Sequence, residues 1–127
     1  MRLVIIESPF IIGGAARNLR YLRACMRDCL LRGEAPYAPH ALYMPLLFGV
    51  LNGELPADRE LGVDVDFAWR EVADATVVYT NLGITPGMHI GIADAAKANY
   101  VEEGGIHATE YRKLGPDWEI AADRGIS

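Results

Sequence analysis

Two hydrophobic patterns alternate along the chain: short unbroken apolar runs, and longer stretches in which apolar residues recur at helical spacing. Arg2-Leu-Val-Ile-Ile-Glu7 is a run of the first kind. Continuous apolarity of that length predicts a strand covered on both faces, as in a parallel sheet. Ser8-Pro9-Phe10 and Gly13-Gly14 then turn the chain. From Ala15 to Arg32 the apolar positions Leu19, Leu22, Met26, Cys29 and Leu30 repeat at threes and fours, with Arg17, Arg20, Arg23 and Asp28 mostly opposite. This predicts an amphipathic helix of about five turns, stopped by Gly33.

Ala35-Pro-Tyr-Ala-Pro39 reads as a short second strand, in which proline cannot donate to a ladder. The stretch from His40 to Pro56 is apolar but broken by Pro45, Gly49 and Gly53. It folds either as a lid over a pocket or as a subunit interface, with the interface favoured. Asp58–Ala73 carries both periods: Val63-Asp-Val-Asp-Phe67 alternates like a strand, whereas Leu61, Val65, Ala68 and Val72 recur like a helix. Its length and flanking charges favour the helix. A strand at Ala75–Thr80 follows, and then a helix from Pro86 to about Glu103, ended by Gly104-Gly105. Ile106–Lys113 forms the last strand, and the tail 115–127 has one large apolar residue, Trp118, to dock.

The order β-α-β-(irregular)-α-β-α-β predicts a single α/β domain over residues 1–127. The expected architecture is a three-layer, flavodoxin- or Rossmann-like parallel sheet of about four or five strands with helices on both faces. Ligands bind such sheets beyond the carboxyl ends of the strands, where the strand order reverses. If the first and third strands are neighbours, the loops Ser8–Gly14 and Asn81–Met88 meet at that point.

Composition narrows the partners. With 51% hydrophobic and 23% charged residues the chain is ordinary for a soluble globular protein. A net charge of -5, from 12 basic against 17 acidic residues, argues against a nucleic-acid polymer as partner. A mononucleotide needs only a few donors and stays possible. Cys25 and Cys29 lie one helical turn apart, a spacing of core thiols rather than of a disulfide, and fit a reducing cytosol. The chain opens directly on a strand without signal-peptide features, and no run approaches the roughly 20 apolar residues of a membrane span. A cytoplasmic protein without membrane contact is expected.

The candidate chemistry concentrates at the two loops. Thr85 is placed to cap the helix that Pro86 opens, so the strand-to-helix turn aims backbone N–H groups and a helix dipole at one spot. Thr85, Gly87 and Met88 are therefore candidates to receive a phosphate. Opposite them, Ser8 offers a hydroxyl, Pro9 a bend and Phe10 an aromatic face for a base or sugar. Gly13 and Gly14 are candidates to cradle phosphate, and Asn18 and Tyr21 to reach the same mouth from the first helix. Glu7 ends the first strand at the pocket floor. Burying its carboxylate costs several kcal/mol unless it is paired or hydrogen-bonded, so it has either partners or a catalytic task. His40, His89 and His107 show no metal-ligand spacing, no Cys/His cluster exists, and no serine sits on a nucleophile elbow. No metal and no cofactor are expected.

Taken as an ordered set, Ile5-Ile-Glu-Ser-Pro-Phe10, Asn18-Leu-Arg-Tyr21, Pro39-His40, Pro56-Ala-Asp-Arg-Glu-Leu-Gly62 and Gly83-Ile-Thr-Pro-Gly-Met88 resemble small, often phage-encoded proteins. These are similar to nucleoside 2-deoxyribosyltransferases and nucleotide N-glycosidases. The resemblance covers roughly residues 2 to 114 and implies a flavodoxin-like sheet that binds a nucleoside or nucleotide, often as a dimer or larger homo-oligomer. It adds His40, Asn81 and His89 to the candidate ligand contacts. In the enzymes a glutamate near the start of the last helix serves the anomeric carbon, because an oxocarbenium-like centre needs a carboxylate within reach. Here the positions two to four after Gly87 are His89, Ile90 and Gly91, and the first acid is Asp94. Asn81 stands where relatives tend to carry aspartate.

Three functional readings follow. The first is a protein that holds a nucleotide or nucleotide-derived signal without cleaving it; a phage in its host's cytoplasm could use it to sequester a defence signal. The second is a deoxyribosyltransferase or nucleotide N-glycosidase with Glu7, or a partner subunit's acid, in place of the missing carboxylate. The third is a structural or interaction domain with Leu42–Leu51 as its contact surface.

Overall fold

The computed structural model of the chain describes residues 1–10, 13–39, 65, 68–101 and 107–123. Its elements are β1 (Arg2–Glu7), α1 (Ala15–Leu31), β2 (Glu34–Tyr37), β3 (Ala75–Tyr79), α2 (Pro86–Val101), β4 (Ala108–Arg112) and α3 (Trp118–Asp123). Residues 68–72 are also helical, in accord with the helical reading of that stretch. The segment 40–64, with His40 and the expected lid or interface, lies outside the described residues, as do Gly104 and Gly105.

The four strands form one all-parallel sheet in the order β2-β1-β3-β4. The protein is thus an α/β domain with its order reversing between β1 and β3, as the alternation of patterns predicted. β2 stands at an edge, where Pro36 opposite Val4 costs the ladder least. Side chains alternate between the two faces. Val4, Ile6, Ala75, Val77 and Tyr79 meet Tyr21, Leu22, Cys25 and Cys29 of α1 in the main core. Ile5, Glu7, Thr76 and Val78 fall on the opposite face, where Gly91 of α2 comes against Glu7.

Helix α1 runs one residue short of the predicted end, and Gly33 follows at φ +78°. Its buried stripe is Asn18, Tyr21, Leu22, Cys25 and Cys29. Leu19 and Leu30, expected inside, are 54% and 60% exposed. The helix turns the shorter thiols inward because the β-branched and aromatic side chains of β1 and β3 already fill that layer. Helix α3 was not expected. Six residues are too few to show a period, but they dock Trp118 edge-on against Tyr21, ring centroids 4.9 Å apart, under the Arg17 guanidinium.

The same face of the sheet carries an ionic cluster, buried at Arg112 and Glu34 and open to solvent at Arg2 and Glu110. Arg112 donates from both terminal nitrogens to the two oxygens of Glu34, at 2.7 and 2.8 Å, and from Nη2 to Glu110 at 3.1 Å. Arg2 bonds both Glu34 and Glu110. A two-pronged guanidinium–carboxylate contact of this kind is the strong form of an ion pair. The Tyr79 hydroxyl donates to Asp28 at 2.7 Å and lies 3.3 Å from the Cys29 sulfur.

Two expectations arise here. The Arg112 hydrogen bonds hold the Glu34 carboxyl below its ordinary 4.5, and the Arg2 bond does the same for Glu110. A lowered folded pKa contributes stability that is complete above 4.5 and lost as the pH falls through the folded value. Burial, in contrast, raises Cys25 and Cys29 above the ordinary 9.0 and Tyr79 above 10.0. That contribution is complete below 9 and lost as the pH rises through the raised values. Urea midpoints measured from pH 3 to 11 should therefore be flat between about 5 and 9 and fall on both sides. A monotonic profile would contradict the cluster. Secondly, both thiols are 0% exposed, so neither should react with Ellman's reagent in native buffer. Two should react per chain in denaturant. A fast native reaction would mean that the α1 core opens.

Candidate functional site

The reversal between β1 and β3 brings the two predicted loops together at the carboxyl ends of those strands, as the pairing of Glu7 with Val78 fixes. The first loop leaves β1 through Ser8 and Pro9, both buried, and reaches Gly13 and Gly14, both exposed. Gly14 stands at φ +107°, a conformation a side chain would strain, and begins α1 from there. Asn18 holds the loop to the helix: buried to 3% exposure, it donates from Nδ2 to the Phe10 carbonyl at 2.9 Å.

The second loop is tied down by Asn81. Its Oδ1 accepts from the Tyr21 hydroxyl at 2.9 Å and from the Leu114 N–H at 2.8 Å, while its Nδ2 donates to the Leu114 carbonyl at 3.0 Å. The Asn81 N–H in turn donates to the Tyr21 hydroxyl. The polar groups of Asn81 and Tyr21 thus join β3, α1 and the end of β4. An aspartate at position 81 would lose the donor that Leu114 receives. Tyr21 is wholly buried in the α1 core and Asn81 half-buried at the end of β3, and the hydrogen bonds of both are spent on the frame.

Thr85 caps α2 as the sequence indicates. Its Oγ1 accepts from the Met88 N–H at 3.3 Å, and its carbonyl from the His89 N–H at 3.1 Å. Pro86 supplies no N–H, so the cap leaves Gly87 as the first-turn donor it does not use. Gly87 and His89 are exposed at this end, while Met88 turns its side chain inward, 1% exposed, with its sulfur 3.5 Å from the Thr85 nitrogen. The helix end is weaker as an anion site than the turn sequence suggests, because its own cap consumes part of it.

The floor is charged. Glu7, 8% exposed, accepts at Oε2 from Arg70 Nη2 at 2.6 Å, and Arg70 is wholly buried. Arg70 Nη1 donates to Thr76 Oγ1 at 2.6 Å, and Thr76 Oγ1 lies 2.8 Å from His107 Nε2. His107 Nδ1 is 2.9 Å from the Ala73 carbonyl. A carbonyl only accepts, so Nδ1 donates to it, and the Thr76 oxygen that accepts from Arg70 also engages Nε2. One chain of hydrogen bonds thus runs from the sheet's far end to Glu7. Beside Glu7, α2 presents Gly91. A Cβ built there would stand under 3.0 Å from every atom of the Glu7 carboxyl group.

Arg70, Thr76, His107 and Gly91 are the site residues the sequence pattern does not reveal. The signal available was Glu7 itself: a buried carboxylate demands a cation, but its partner lies 63 positions away. Among the described residues no group of three or more His, Cys, Asp or Glu could hold a metal. No helix of the described residues is long and apolar enough to cross a membrane.

The sequence profile of a family described as a domain of unknown function (DUF7768) matches residues 2–102. That span includes both loops, Glu7, Arg70 and Gly91, and ends before β4. No curated protein matches the chain.

Proposed function

The chain belongs to the DUF7768 family, a domain of unknown function, and we propose that it binds a nucleotide or nucleotide-derived small molecule at this crevice without cleaving it. The observation that carries the reading is the order β2-β1-β3-β4, whose reversal opens between the Ser8–Gly14 and Asn81–Met88 loops. Such reversals are where open α/β sheets take ligands, and side-chain hydrogen bonds anchor each loop here, Asn18 to Phe10 in the first and Asn81 to Tyr21 and Leu114 in the second. Isothermal titration against nucleosides and their mono-, di- and triphosphates should give saturable binding by at least one member. A panel without any heat of binding would overturn the proposal.

One observation favours a second reading, cleavage of an N-glycosidic bond. Of the positions where the related enzymes place their carboxylate, Gly91 leaves a notch, and the Glu7 carboxyl fills the space a side chain there would enter. A carboxylate delivered from β1 instead of α2 would serve the same anomeric centre. Release of free base from deoxynucleosides or deoxynucleotides, lost in Glu7→Gln, would favour this reading over simple binding.

A further inference from the structure

We propose that the outer edge of β4 pairs antiparallel with the β4 edge of a second copy of this chain, about a two-fold axis at Tyr111, so that the two sheets join into one. The inference stands apart from the crevice and from what binds there.

The two ends of the sheet differ. β2 contains Pro36, and Trp69 stacks on its Tyr37 with ring centroids 4.6 Å apart. Proline and a covering side chain are means of closing an edge to further strands. β4, at the other end, contains no proline. Its parallel ladder fixes which of its groups are free. The Ala108 N–H donates to the Asp74 carbonyl, and the Arg112 carbonyl accepts from the Thr80 N–H. Successive residues of a strand bond to opposite sides. Residues 108, 110 and 112 therefore bond β3, while Thr109, Tyr111 and Lys113 turn their N–H and carbonyl groups outward. Leu114 keeps the alternation, bonding Asn81 through both its N–H and its carbonyl. Among the described residues nothing pairs with the outward groups. Thr109, Tyr111 and Lys113 are all exposed, Tyr111 to 59%.

A bare edge alone names no partner, but the residues of this one do. A two-fold axis lays an edge against itself antiparallel. Centred on Tyr111, it sets Tyr111 opposite Tyr111, Thr109 opposite Lys113, and Glu110 opposite Arg112. Outward groups then meet outward groups, and the acid meets a base. Sliding one strand by a single residue turns outward groups against inward ones and loses the bonds. Sliding it by two sets Glu110 against Glu110 or Arg112 against Arg112, and like charges directly opposite are destabilising. Charge and hydrogen bonding thus select the same register. Glu110 has 35% of its side chain exposed, so it meets the second copy without disturbing the buried Arg112–Glu34 contact. Lys113 is the kind of edge charge that discourages indiscriminate strand addition, and here it faces only Thr109. In the joined sheet the strands of the two copies run in opposite directions, which leaves the two crevices at opposite ends.

The test is the oligomeric state of the full chain. Light scattering over a concentration series should reach twice the chain mass of 13.9 kDa. Tyr111→Lys sets two cations on the axis, and Thr109→Lys sets a cation against each Lys113. Each should weaken the dimer at least tenfold while keeping the wild-type amide spectrum, and if one does not fold the other decides. Single cysteines under mild oxidation read the register, since the native thiols are buried. Opposed Cα atoms in such a pair lie about 5.5 Å apart, within disulfide reach. Tyr111→Cys should link to itself. Thr109→Cys and Lys113→Cys should not, but the two mixed together should link to each other. A wild type that stays monomeric at every concentration overturns the proposal. A dimer that both lysine variants leave within twofold of the wild type lies on another surface and overturns it equally. A dimer in which Thr109→Cys or Lys113→Cys links to itself and Tyr111→Cys does not overturns the register.

Discussion

Replacing Arg70 by methionine is expected to destabilise the fold by about 3–5 kcal/mol, because it takes from the buried Glu7 carboxylate the guanidinium bonded to its Oε2. Of the single changes at the site this should be the most damaging. A domain of this size has some 5–15 kcal/mol in total, so a fifth or more of it goes. Two effects compete in the number. Methionine fills most of the space of the arginine stem, so the packing loss is small. The lost guanidinium is the large term, and the Thr76 hydroxyl loses its donor as well. The double variant Glu7→Met/Arg70→Met separates the two, since it removes both charges and keeps the volume. It should recover to within about 1 kcal/mol of the wild type, or exceed it. Urea unfolding of the three proteins, with the slopes compared to confirm two-state behaviour, gives the values. A loss below 1 kcal/mol in the single variant would mean that water already reaches the pair. A double variant as unstable as the single one would mean that packing, not charge, is what Arg70 supplies.

Recovery in the double variant would also bear on function. It would show that the fold does not depend on the pair, so its presence at the one point where the strand order reverses would need another cause. The Arg112–Glu34–Glu110 cluster offers the contrast. Its Arg112–Glu34 pair is buried too, but the cluster joins the end of β4 to the starts of β1 and β2, and lies on the opposite face of the sheet from Glu7. Its cations and carboxylates hold elements together; the Arg70–Glu7 pair presents one carboxylate at a strand end.

Much of the fold was legible because it rests on local pattern. The apolar run of β1, the spacing in α1 and the Thr85-Pro86 helix start each state their structure within a few residues, and the β-α-β order leaves few ways to build the sheet. The site was legible as a place more than as a set of roles. Ser8, Asn18, Tyr21, Asn81 and Thr85 lie at or behind the loops that leave β1 and β3, but polar residues there satisfy the frame as readily as a ligand. Tyr21 and Asn81 bond each other over 60 positions, and Asn81 bonds Leu114 over 33. Nothing periodic encodes pairings of that range. The same holds for Arg70, which reads locally as one charge among several flanking a helix. His107, which stands out in the sequence only for lacking metal-ligand spacing, is buried and backs Arg70 through Thr76. Helix α3 was missed because its six residues stand on a tertiary contact, Trp118 on Tyr21, and not on propensity.

Gly91→Ala carries the second large effect, and its sign runs against the usual rule. Alanine in place of glycine inside a helix ordinarily stabilises by about 0.5–1 kcal/mol, since it removes backbone freedom from the unfolded chain. At Gly91 the new methyl group would meet the Glu7 carboxyl under 3.0 Å away. The end of a free side chain would swing aside at little cost. Glu7 cannot, because its oxygen is held by Arg70 and the pair is buried. Either α2 lifts from the sheet or the ion pair lengthens, and overpacking of this kind costs about 1–3 kcal/mol. Gly87→Ala, four residues earlier in the same helix, is the control. A Cβ there meets nothing closer than the Thr85 Oγ1 at 4.0 Å, so it should be neutral or raise stability by a few tenths of a kcal/mol, on the order expected from helix propensity. Thermal or urea unfolding of the two variants should therefore move in opposite directions. If Gly91→Ala proved as stable as Gly87→Ala, the carboxylate would be mobile, and the close packing of α2 on the Glu7 carboxyl group would not hold.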